Sequence, residues 1–329
     1  MRLVTFDILT PVGPITRIGE WADDDRIVDL TFARALELER AGSSRALAVA
    51  QAEIPPDMID FLSGGRPGLA IAEEAVAGVR ARGDERFRDA QVIHERAAVR
   101  LRAPLPRPHS IRDFLMVEQH VRGAMERLPP DQRVHSLEAM AATPGHYKGN
   151  VDAVYGPDDL IPWPPFTSEL DYELELGMVI GRGGKDISVE DAAQHIAGFT
   201  IFNDWSARDI QMREMKVGLG PGLGKDFANS LGPAIRTADG FDPTTAALEA
   251  RVNGEVWSSG TVGAMLKTFA ELVAWTSQGQ MLRPGDVLGS GTIGGGCGLE
   301  LGKYLPPGAV VELEAEGIGV LRNTVGFPA

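Results

Sequence analysis

Short apolar runs bounded by turns fill the first thirty positions of the chain. The runs are RLVTFDIL (2–9), ITRIGEWA (15–22) and RIVDL (26–30). A proline-bounded turn at 11–14 and an acidic turn at 23–25 separate them. Apolar runs of this length between turn residues are typical of β-strands, so the pattern predicts three strands joined by hairpin loops.

The pattern then changes to a helical period. Residues 31–40, 57–62 and 70–82 are predicted helices, because their apolar positions recur every three to four residues. APLPRPH (103–109) follows with three prolines in seven residues, which is typical of a stiff extended connector. The connector predicts a boundary between a small N-terminal α+β domain (1–104) and a second domain (105–329). Nothing in residues 1–104 indicates a function of its own.

Acidic and apolar residues alternate strictly in LDYELELGM (170–178). In a strand, successive side chains point to opposite faces, so Asp171, Glu173 and Glu175 would share one face. Carboxylates two residues apart then stand about 7 Å from each other, and a hard divalent cation is their natural partner. Alternation alone also fits a half-exposed strand with a solvated acidic face, and it leaves both interpretations open.

A third oxygen ligand can be sought after the β-rich run HIAGFTIF (195–202), which stops at Asn203 and Asp204. A carboxylate just past the end of a buried strand is well placed to complete a metal site. Asp204 could equally cap the helix predicted for SARDIQMREM (206–215). In that helix Arg208 and Gln211 would lie on the side of Asp204, where Arg208 could hold a substrate carboxylate in bidentate fashion or form an ion pair with Asp204 or Glu173.

A helical pattern also runs from Ser110, a plausible N-cap, to Leu128. Asp113 and His120 are seven residues apart, which would place both on one face of this helix. A lone histidine on a helix is usually structural or solvated, and the segment alone does not distinguish these roles from catalysis. Further on, Asn253 and Gly254 predict the turn of a hairpin, and 265–278 is a predicted helix.

The composition narrows the possible partners. The 329 residues carry a formal net charge of −14, with 24% charged and 43% hydrophobic residues. No basic block offsets this charge, so a nucleic-acid partner is not expected. The N-terminus lacks the features of a signal peptide and no apolar run is long enough to span a membrane, which predicts a cytoplasmic protein without a membrane partner. The single cysteine, Cys297, excludes an intrachain disulfide.

Two segments read together narrow the interpretation further. ELELGMVIGRGGKDIS followed by GFTIFNDWSARDIQ resembles the core signature of the fumarylacetoacetate hydrolase family. The resemblance continues through LGKDF (223–227), LRPGDVLGSGTIGGG (282–296) and LEL (299–301), and covers roughly 108–326. It implies a mixed β-roll catalytic domain of the α+β class, usually a homodimer. It also implies that Glu173, Glu175 and Asp204 bind Mg²⁺, or alternatively Mn²⁺ or Ca²⁺.

The same resemblance assigns expected catalytic roles. Asp113 and His120 match the family's D-F-x(5)-H element, in which the acidic residue joins the metal shell and the histidine is the general base. Glu300 in LEL matches the residue that orients this histidine, although an isolated glutamate there would otherwise be read as a surface strand residue. Lys225 in LGKDF would stabilise an enolate. A phosphate loop is excluded because no GK[ST] motif is present.

The expected substrate contacts are Tyr147, Arg208, Gln211 and Thr292. Leu115 and Met215 stand where eukaryotic fumarylacetoacetases carry tyrosines, so recognition of a fumaryl carboxylate is not expected. Gly123 stands where another branch of the family has a glutamate beside the histidine. The chain therefore follows the branch that uses a distal glutamate, here Glu300.

These residues predict a metal-dependent hydrolase that cleaves a C–C bond in an acylpyruvate-like or other β-diketo acid. The alternative is a lyase or isomerase of 2-oxo acids, such as an oxaloacetate decarboxylase or a 2-oxopent-4-enoate hydratase, because fold alone does not settle function. A third possibility, a metal-binding protein without turnover, would have no need of the pair His120 and Glu300.

Overall fold

The computed structural model describes residues 1–22, 25–83, 86–130, 133 and 136–328. Residues 23 and 24 of the predicted acidic turn lie outside this set. Ten α-helices lie within the described residues: α1 (Leu30–Arg40), α2 (Ala46–Glu53), α3 (Met58–Ser63), α4 (Gly65–Arg82), α5 (Glu118–Arg127), α6 (Leu137–Ala142), α7 (Arg208–Met215), α8 (Leu223–Asp226), α9 (Phe269–Ser277) and α10 (Gly298–Leu301). Every described helix is too short or too polar to cross a lipid bilayer.

Twenty-one β-strands alternate with these helices in the described residues. They are β1 (Arg2–Thr10), β2 (Gly13–Trp21), β3 (Arg26–Asp29), β4 (Arg86–Phe87), β5 (Ala90–Gln91), β6 (Ile93–Glu95), β7 (Arg100–Leu101), β8 (Ser110–Phe114), β9 (His146–Gly149), β10 (Val154–Tyr155), β11 (Leu160–Ile161), β12 (Leu170–Asp171), β13 (Leu174–Ile180), β14 (Ile196–Asn203), β15 (Ser206–Ala207), β16 (Asn229–Thr237), β17 (Leu248–Val252), β18 (Glu255–Gly260), β19 (Asp286–Gly289), β20 (Val310–Ala315) and β21 (Gly319–Val325).

Two large sheets enclose the main core. The larger has twelve strands in the order β6-β3-β2-β1-β16-β14-β13-β19-β8-β9, with β7 on β1 and β10 on β16. The smaller runs β11-β21-β20-β17-β18. Leu176 of β13, Ala250 of β17 and Leu313 of β20 belong to one buried cluster, so the core lies between the sheets. Parallel pairs, such as β19 with β8, occur among antiparallel ones, which confirms the predicted mixed α+β architecture.

The large sheet is continuous across the predicted domain boundary. Strand β1 pairs with β16 through Arg2 opposite Arg236 and Leu3 opposite Ile235. Helices α1 to α4 cover the outer face of this sheet, and their apolar residues share a buried cluster with Phe202 of β14. The N-terminal segment therefore buries one face of the sheet that carries the site, while the division at residue 104 stays a prediction.

Local sequence accounts for several of these elements. The Asp29 carboxylate accepts a hydrogen bond from the Phe32 amide and so caps α1. Thr268 and Glu271 form a reciprocal capping box at the start of α9, within the helix predicted for 265–278. The predicted hairpin turn is present, with Asn253 and Gly254 both at positive φ. The helix α2 was not predicted, since its run ALAVAQAE has little amphipathic contrast.

The helix predicted from Ser110 to Leu128 is wrong in its first half. Residues 110–114 form strand β8, and α5 begins only at Glu118. Tertiary contacts override the local helical pattern here, because β8 pairs in parallel with β19 and its residues Ile111 and Phe114 are buried. Asp113 and His120 therefore lie on a strand and a helix, and they do not share one helix face.

Candidate active site

Neighbouring strands of the large sheet end together at one side of the molecule. Strand β8 places Asp113 opposite Gly289 of β19 and opposite Tyr147 of β9. Strand β13, which carries Glu175, lies between β19 and β14. Asp204 directly follows the last residue of β14. Side chains that are distant in sequence thus meet because the strands that carry them are adjacent.

Three of these side chains form a carboxylate trio: Asp113, Glu175 and Asp204. Each offers an oxygen atom, and the three atoms all lie within 4.8 Å of one another. All three residues are buried. Asp113 Oδ1 is a buried acceptor with no hydrogen-bond partner among the described residues. The solvated acidic face that alternation alone allowed is therefore wrong for Glu175.

The trio is electrostatically unfavourable in the absence of a counterion. Burial, and then the neighbouring Asp204, raises the pKa of Asp113 well above its ordinary value. Burial and the facing Asp113 carboxylate do the same for the pKa of Glu175. Burial also raises the pKa of Asp204 to about 7, although Lys225 opposes the change. A cation that binds the trio would relieve this repulsion.

The trio fits a hard divalent metal ion. Mg²⁺, Mn²⁺ and Ca²⁺ prefer carboxylate oxygen ligands, and the unpartnered Asp113 Oδ1 is available for one. Gly289 has no side chain beside this atom, and a Cβ there would collide with Asp113 Oδ1. The residues present are thus suited to the cation that the sequence predicted.

Glu173 lies beside the trio but is held by two cations. Arg208 Nη1 lies 2.6 Å from Glu173 Oε1, and Lys225 Nζ lies 2.7 Å from Glu173 Oε2. Burial alone would raise the pKa of Glu173, but Arg208 and Lys225 together lower it well below its ordinary value. The ion-pair alternative for Arg208 is therefore observed with Glu173, and a metal-ligand role for Glu173 stays a prediction.

Lys225 links this ion pair to the trio. Its Nζ also donates to Asp204 Oδ2, and Tyr147 Oη donates to Asp204 Oδ1. Asp204 therefore does not cap α7, whose N-cap position is Ala207. Burial would lower the pKa of Lys225, but Asp204 and Glu173 raise it, so the ammonium group stays charged.

The segment that carries Lys225 is helical. Leu223–Asp226 form the short helix α8. The Glu214 carboxylate at the end of α7 accepts hydrogen bonds from the amides of Gly222, Leu223 and Gly224 at 2.8, 2.8 and 3.1 Å. A Cβ at Gly224 would lie 2.9 Å from Gln211 Cα, so only glycine allows α8 to pack this closely on α7. These contacts fix the position of Lys225.

His120 and Glu300 form a further pair of side chains, which are only 6% and 7% exposed. His120 Nδ1 lies 2.6 Å from Glu300 Oε1, although the residues are 180 positions apart. Glu300 lies on helix α10 and is not the surface strand residue that its sequence context suggested. Its Oε2 accepts a hydrogen bond from the Gly295 amide at 2.9 Å. A Cβ at Gly123 would collide with the Glu300 carboxylate, so the missing side chain at Gly123 makes room for the distal glutamate.

Asp171 is a site residue whose role the sequence did not reveal. Its Oδ2 accepts from Arg208 Nε at 2.8 Å and from the Leu299 amide at 3.0 Å, and its Oδ1 accepts from the Gly298 amide at 2.7 Å. Asp171 thus joins Arg208 to the start of α10, the helix that carries Glu300. Alternation predicted that Asp171 would share a face with Glu173, but the backbone amides that it caps leave no pattern in sequence.

A cavity of about 610 Å³ opens onto these groups. Of the expected substrate contacts, Tyr147, Arg208 and Gln211 line it, whereas the cavity wall does not include Thr292. Thr292 Oγ1 instead donates to Glu175 Oε1 at 3.2 Å. Leu115 and Met215 also line the cavity, and so do His120, Lys225 and the trio. The thiol of Cys297 is buried and burial raises its pKa well above the ordinary value, which makes it a poor nucleophile.

Comparison with known proteins agrees with this architecture. Residues 111–326 match the family model described as fumarylacetoacetate (FAA) hydrolase C-terminal. The mitochondrial oxaloacetate tautomerase Fahd2a of Rattus norvegicus is 34% identical over 278 residues, which cover 83% of this chain and 80% of the relative. The oxaloacetate tautomerase YisK of Bacillus subtilis (strain 168) is 30% identical over 319 residues, which cover 94% and 96%. The solved fumarylacetoacetate hydrolase of Exiguobacterium antarcticum superposes with a TM-score of 0.69 at 25% identity, covering 99% of each chain.

Proposed function

The chain belongs to the fumarylacetoacetate hydrolase family, and we propose that its site moves a proton between the keto and enol forms of a 2-oxo acid. One observation carries the proposal. His120, which pairs with Glu300 at 2.6 Å between Nδ1 and Oε1, lines the same cavity as the carboxylate trio. A base beside a binding site for adjacent keto-acid oxygens is the arrangement that enolisation requires.

The relatives favour this reaction over the C–C bond hydrolysis that the sequence predicted. Two relatives that match at least 80% of their own length are named oxaloacetate tautomerases. They support the isomerase side of the alternative interpretation. Neither the decarboxylase nor the hydratase activity is needed to account for the residues at the site.

The proposed mechanism begins with the acid head of the substrate. Asp113, Glu175 and Asp204 would hold a divalent cation, with Mg²⁺ as the expected ion and Glu173 as a further expected ligand. Such a cation draws electron density from the adjacent oxygens of a 2-oxo acid and so makes the hydrogens at C3 more acidic. Arg208, assisted by Gln211 and Tyr147, would orient the carboxylate of the substrate.

His120 would act as the base. As a carboxylate, Glu300 would accept a hydrogen bond from Nδ1–H, and this assignment of the tautomer leaves the Nε2 lone pair for the substrate. In the keto-to-enol direction, Nε2 would take a proton from C3, the C3–H electron pair would form the C2–C3 double bond, and the π pair of the C2 carbonyl would move onto its oxygen. Solvent would then protonate this oxygen, and His120 would release the proton from C3 to solvent. The reverse reaction runs these transfers backwards. Lys225, a buried permanent cation, would stabilise the negative charge that develops on the C2 oxygen.

Hydrolysis remains the second candidate, because one observation also favours it. A base that is oriented by Glu300 can deprotonate water as readily as it can deprotonate C3. The similar solved structure from Exiguobacterium antarcticum is named a fumarylacetoacetate hydrolase. Hydrolysis needs water as a nucleophile and tautomerisation does not, which separates the two candidates experimentally.

The test follows the decay of enol oxaloacetate by ultraviolet absorbance in Mg²⁺ buffer. The wild-type chain should accelerate ketonisation above the buffer rate, and His120→Asn should lower the enzymatic rate by about 10²-fold or more. A parallel incubation of 2,4-dioxo acids in H₂¹⁸O reports hydrolysis through the label in the released acid. No acceleration of ketonisation, together with ¹⁸O-labelled cleavage products, would reject the tautomerase in favour of the hydrolase.

A further inference from the structure

The cavity is much larger than a small diacid requires, and much of its wall is apolar. Its volume of about 610 Å³ lies in the range of pockets that enclose drug-sized ligands. Five of the ten methionines in the chain line it: Met116, Met125, Met140, Met212 and Met215. Methionine side chains are flexible and apolar, so such a wall adapts to an uncharged chain or ring better than to a carboxylate.

Part of the apolar wall is a row of side chains that runs along helix α5. Val121, Ala124 and Met125 of α5 and Leu128, which directly follows the helix, all line the cavity, and their spacing of three, four and seven residues places them on one side. The proposed base, His120, lies at the start of this stripe. Leu128 directly follows the last residue of α5 and lies eight positions after His120, which corresponds to about 12 Å along the helix axis. The stripe therefore leads away from the reacting atoms.

Positive charge is concentrated at the acid end of the cavity. Among the described lining residues, Arg208 and Lys225 are the permanent cations. Both contact Glu173, at 2.6 and 2.7 Å. A second carboxylate on the substrate, placed along α5, would meet methionine and leucine side chains instead of a cation. Burying a carboxylate without a partner is strongly unfavourable.

We infer that the preferred substrate is a 2-oxo acid whose far end is an uncharged apolar tail that reaches along α5 towards Leu128. This inference rests on the proposed function for the position of the acid head. It narrows the substrate class, because oxaloacetate itself would fill only the acid end of the cavity and would leave the apolar wall along α5 without a contact.

A matched pair of ligands tests the inference on the wild-type chain. 2-Oxopentanoate and 2-oxoglutarate have equal carbon chains and differ only in the terminal carboxylate. Isothermal titration in Mg²⁺ buffer should find that 2-oxopentanoate binds more tightly. Along the series 2-oxopentanoate, 2-oxohexanoate and 2-oxooctanoate, each added methylene should lower Kd by about three- to fourfold. Equal affinity along the series, or tighter binding of 2-oxoglutarate, would overturn the inference.

A pair of variants locates the tail. Met125→Lys puts a cation into the apolar wall. It should weaken the binding of 2-oxooctanoate by about tenfold or more and should strengthen the binding of 2-oxoglutarate. Met281→Lys makes the same change at an exposed methionine that does not line the cavity, and it should alter neither affinity. Equal effects of the two substitutions would place the tail elsewhere. Circular dichroism checks both folds, and the wild-type series decides the matter if Met125→Lys does not fold.

These titrations can reject the apolar subsite without rejecting the proposed function, and the reverse also holds. Binding does not require turnover, so a steep dependence on tail length without any ketonisation activity would retain the apolar subsite and reject the tautomerase. Ketonisation of oxaloacetate together with a flat series would retain the tautomerase and reject the tail.

Discussion

At Glu175, burial favours the protonated carboxyl group, whereas the proposed role as a metal ligand needs the carboxylate. It is fully buried and faces Asp113, which raises its pKa, yet a metal ligand must be deprotonated. Its remaining contacts are donors, the Gly291 amide at 3.1 Å and the Thr292 hydroxyl at 3.2 Å. The position is thus specialised for a carboxylate with a cation beside it.

Replacing Glu175 by Gln should therefore weaken Mg²⁺ binding by at least about tenfold, because one of three charged ligands is lost. The fold should persist, since Gln has nearly the same volume and removes a source of repulsion. Isothermal titration measures the affinity, and Glu255→Gln at an exposed position of β18 is the matched control. Unaltered affinity in Glu175→Gln would remove this residue from the ligand set.

His120 and Glu300 should behave as one unit in kinetics. His120→Asn and Glu300→Gln are each expected to lower kcat by about 10²-fold or more, because either change removes an oriented base. The double variant should then be little slower than the slower single variant, since members of one unit are not additive. Ketonisation rates of the four chains provide the test. Multiplicative losses would mean that Glu300 acts separately from His120.

The sequence anticipated these residues unevenly. Alternation placed Glu173 and Glu175 on one face, and that inference needs only the period of a strand. It could not separate their roles, since Glu173 pairs with Arg208 and Lys225, which lie far along the chain. The role of Asp171 could not be predicted for the same reason. Its partners at the start of α10 are backbone amides, which every sequence contains.

At the scale of elements, the position of Lys225 depends on the contact between α7 and α8. Gly224 lies against the backbone of Gln211, and Glu214 caps the amides that precede Lys225. A helix as short as α8 has little intrinsic stability, so these contacts are its main support.

Gly224→Ala should push α8 away from α7, because the new methyl group would meet Gln211 backbone atoms at 2.9 Å. We expect kcat to fall more than KM changes, since in the proposed mechanism Lys225 acts mainly on charge that develops during the reaction. Steady-state kinetics are the measurement. Gly68→Ala in α4, whose nearest neighbour would lie at 3.7 Å, is the matched control and should have little effect. Unchanged kcat in Gly224→Ala would show that the packing of α8 on α7 does not govern Lys225.

Helices and strands that a local sequence pattern specifies could be predicted, whereas those that depend on pairing with distant strands could not. Strands β1 to β3 and the hairpin at Asn253 follow from apolar runs and turn residues. The segment 110–114 has a helical pattern, yet it becomes strand β8 because β9 and β19 hydrogen-bond to it on either side. That pairing also brings Asp113 to the site, so the error in secondary structure concerned a functional element.

At the scale of the whole molecule, the carboxylate trio couples stability to pH. Burial raises the pKa of Asp204 to about 7, so the folded metal-free chain holds a proton that the unfolded chain releases. Its contribution to stability is therefore fully present below the ordinary carboxyl pKa and is lost as pH rises through about 7. The raised pKa values of Asp113 and Glu175 act in the same direction.

The metal-free protein should consequently have a lower Tm at about pH 8 than at about pH 6, and Mg²⁺ should raise Tm more at the higher pH, where its ligands are deprotonated. Differential scanning calorimetry with a chelator and with excess Mg²⁺ measures both effects. The Glu175→Gln chain is the control, because it should lose most of the stabilisation by Mg²⁺. A Tm that rises with pH in the chelator would contradict this account of the trio.

The large sheet joins both parts of the chain, so the strands that carry the candidate site depend on residues that precede the predicted boundary. Removal of residues 1–104 would expose the edge of β16 and the apolar face of the sheet that α1 to α4 cover. The homodimer and the cytoplasmic location stay predictions. Light scattering on the purified chain would measure its mass in solution and so test the homodimer.

The most direct test of the proposed proton transfer is the stereochemistry of deuterium at C3. Enol oxaloacetate is ketonised in D₂O by the Mg²⁺-loaded chain, and the product is trapped at once as malate by malate dehydrogenase and NADH for analysis by NMR. A single base on one wall of the cavity should deliver deuterium to one face of C3, so the wild-type product should carry it at one prochiral position. The His120→Asn chain should give the equal mixture that buffer gives. Equal labelling of both positions by the wild-type chain, at a rate no greater than in buffer, would contradict the assignment of His120 as the base that acts on C3.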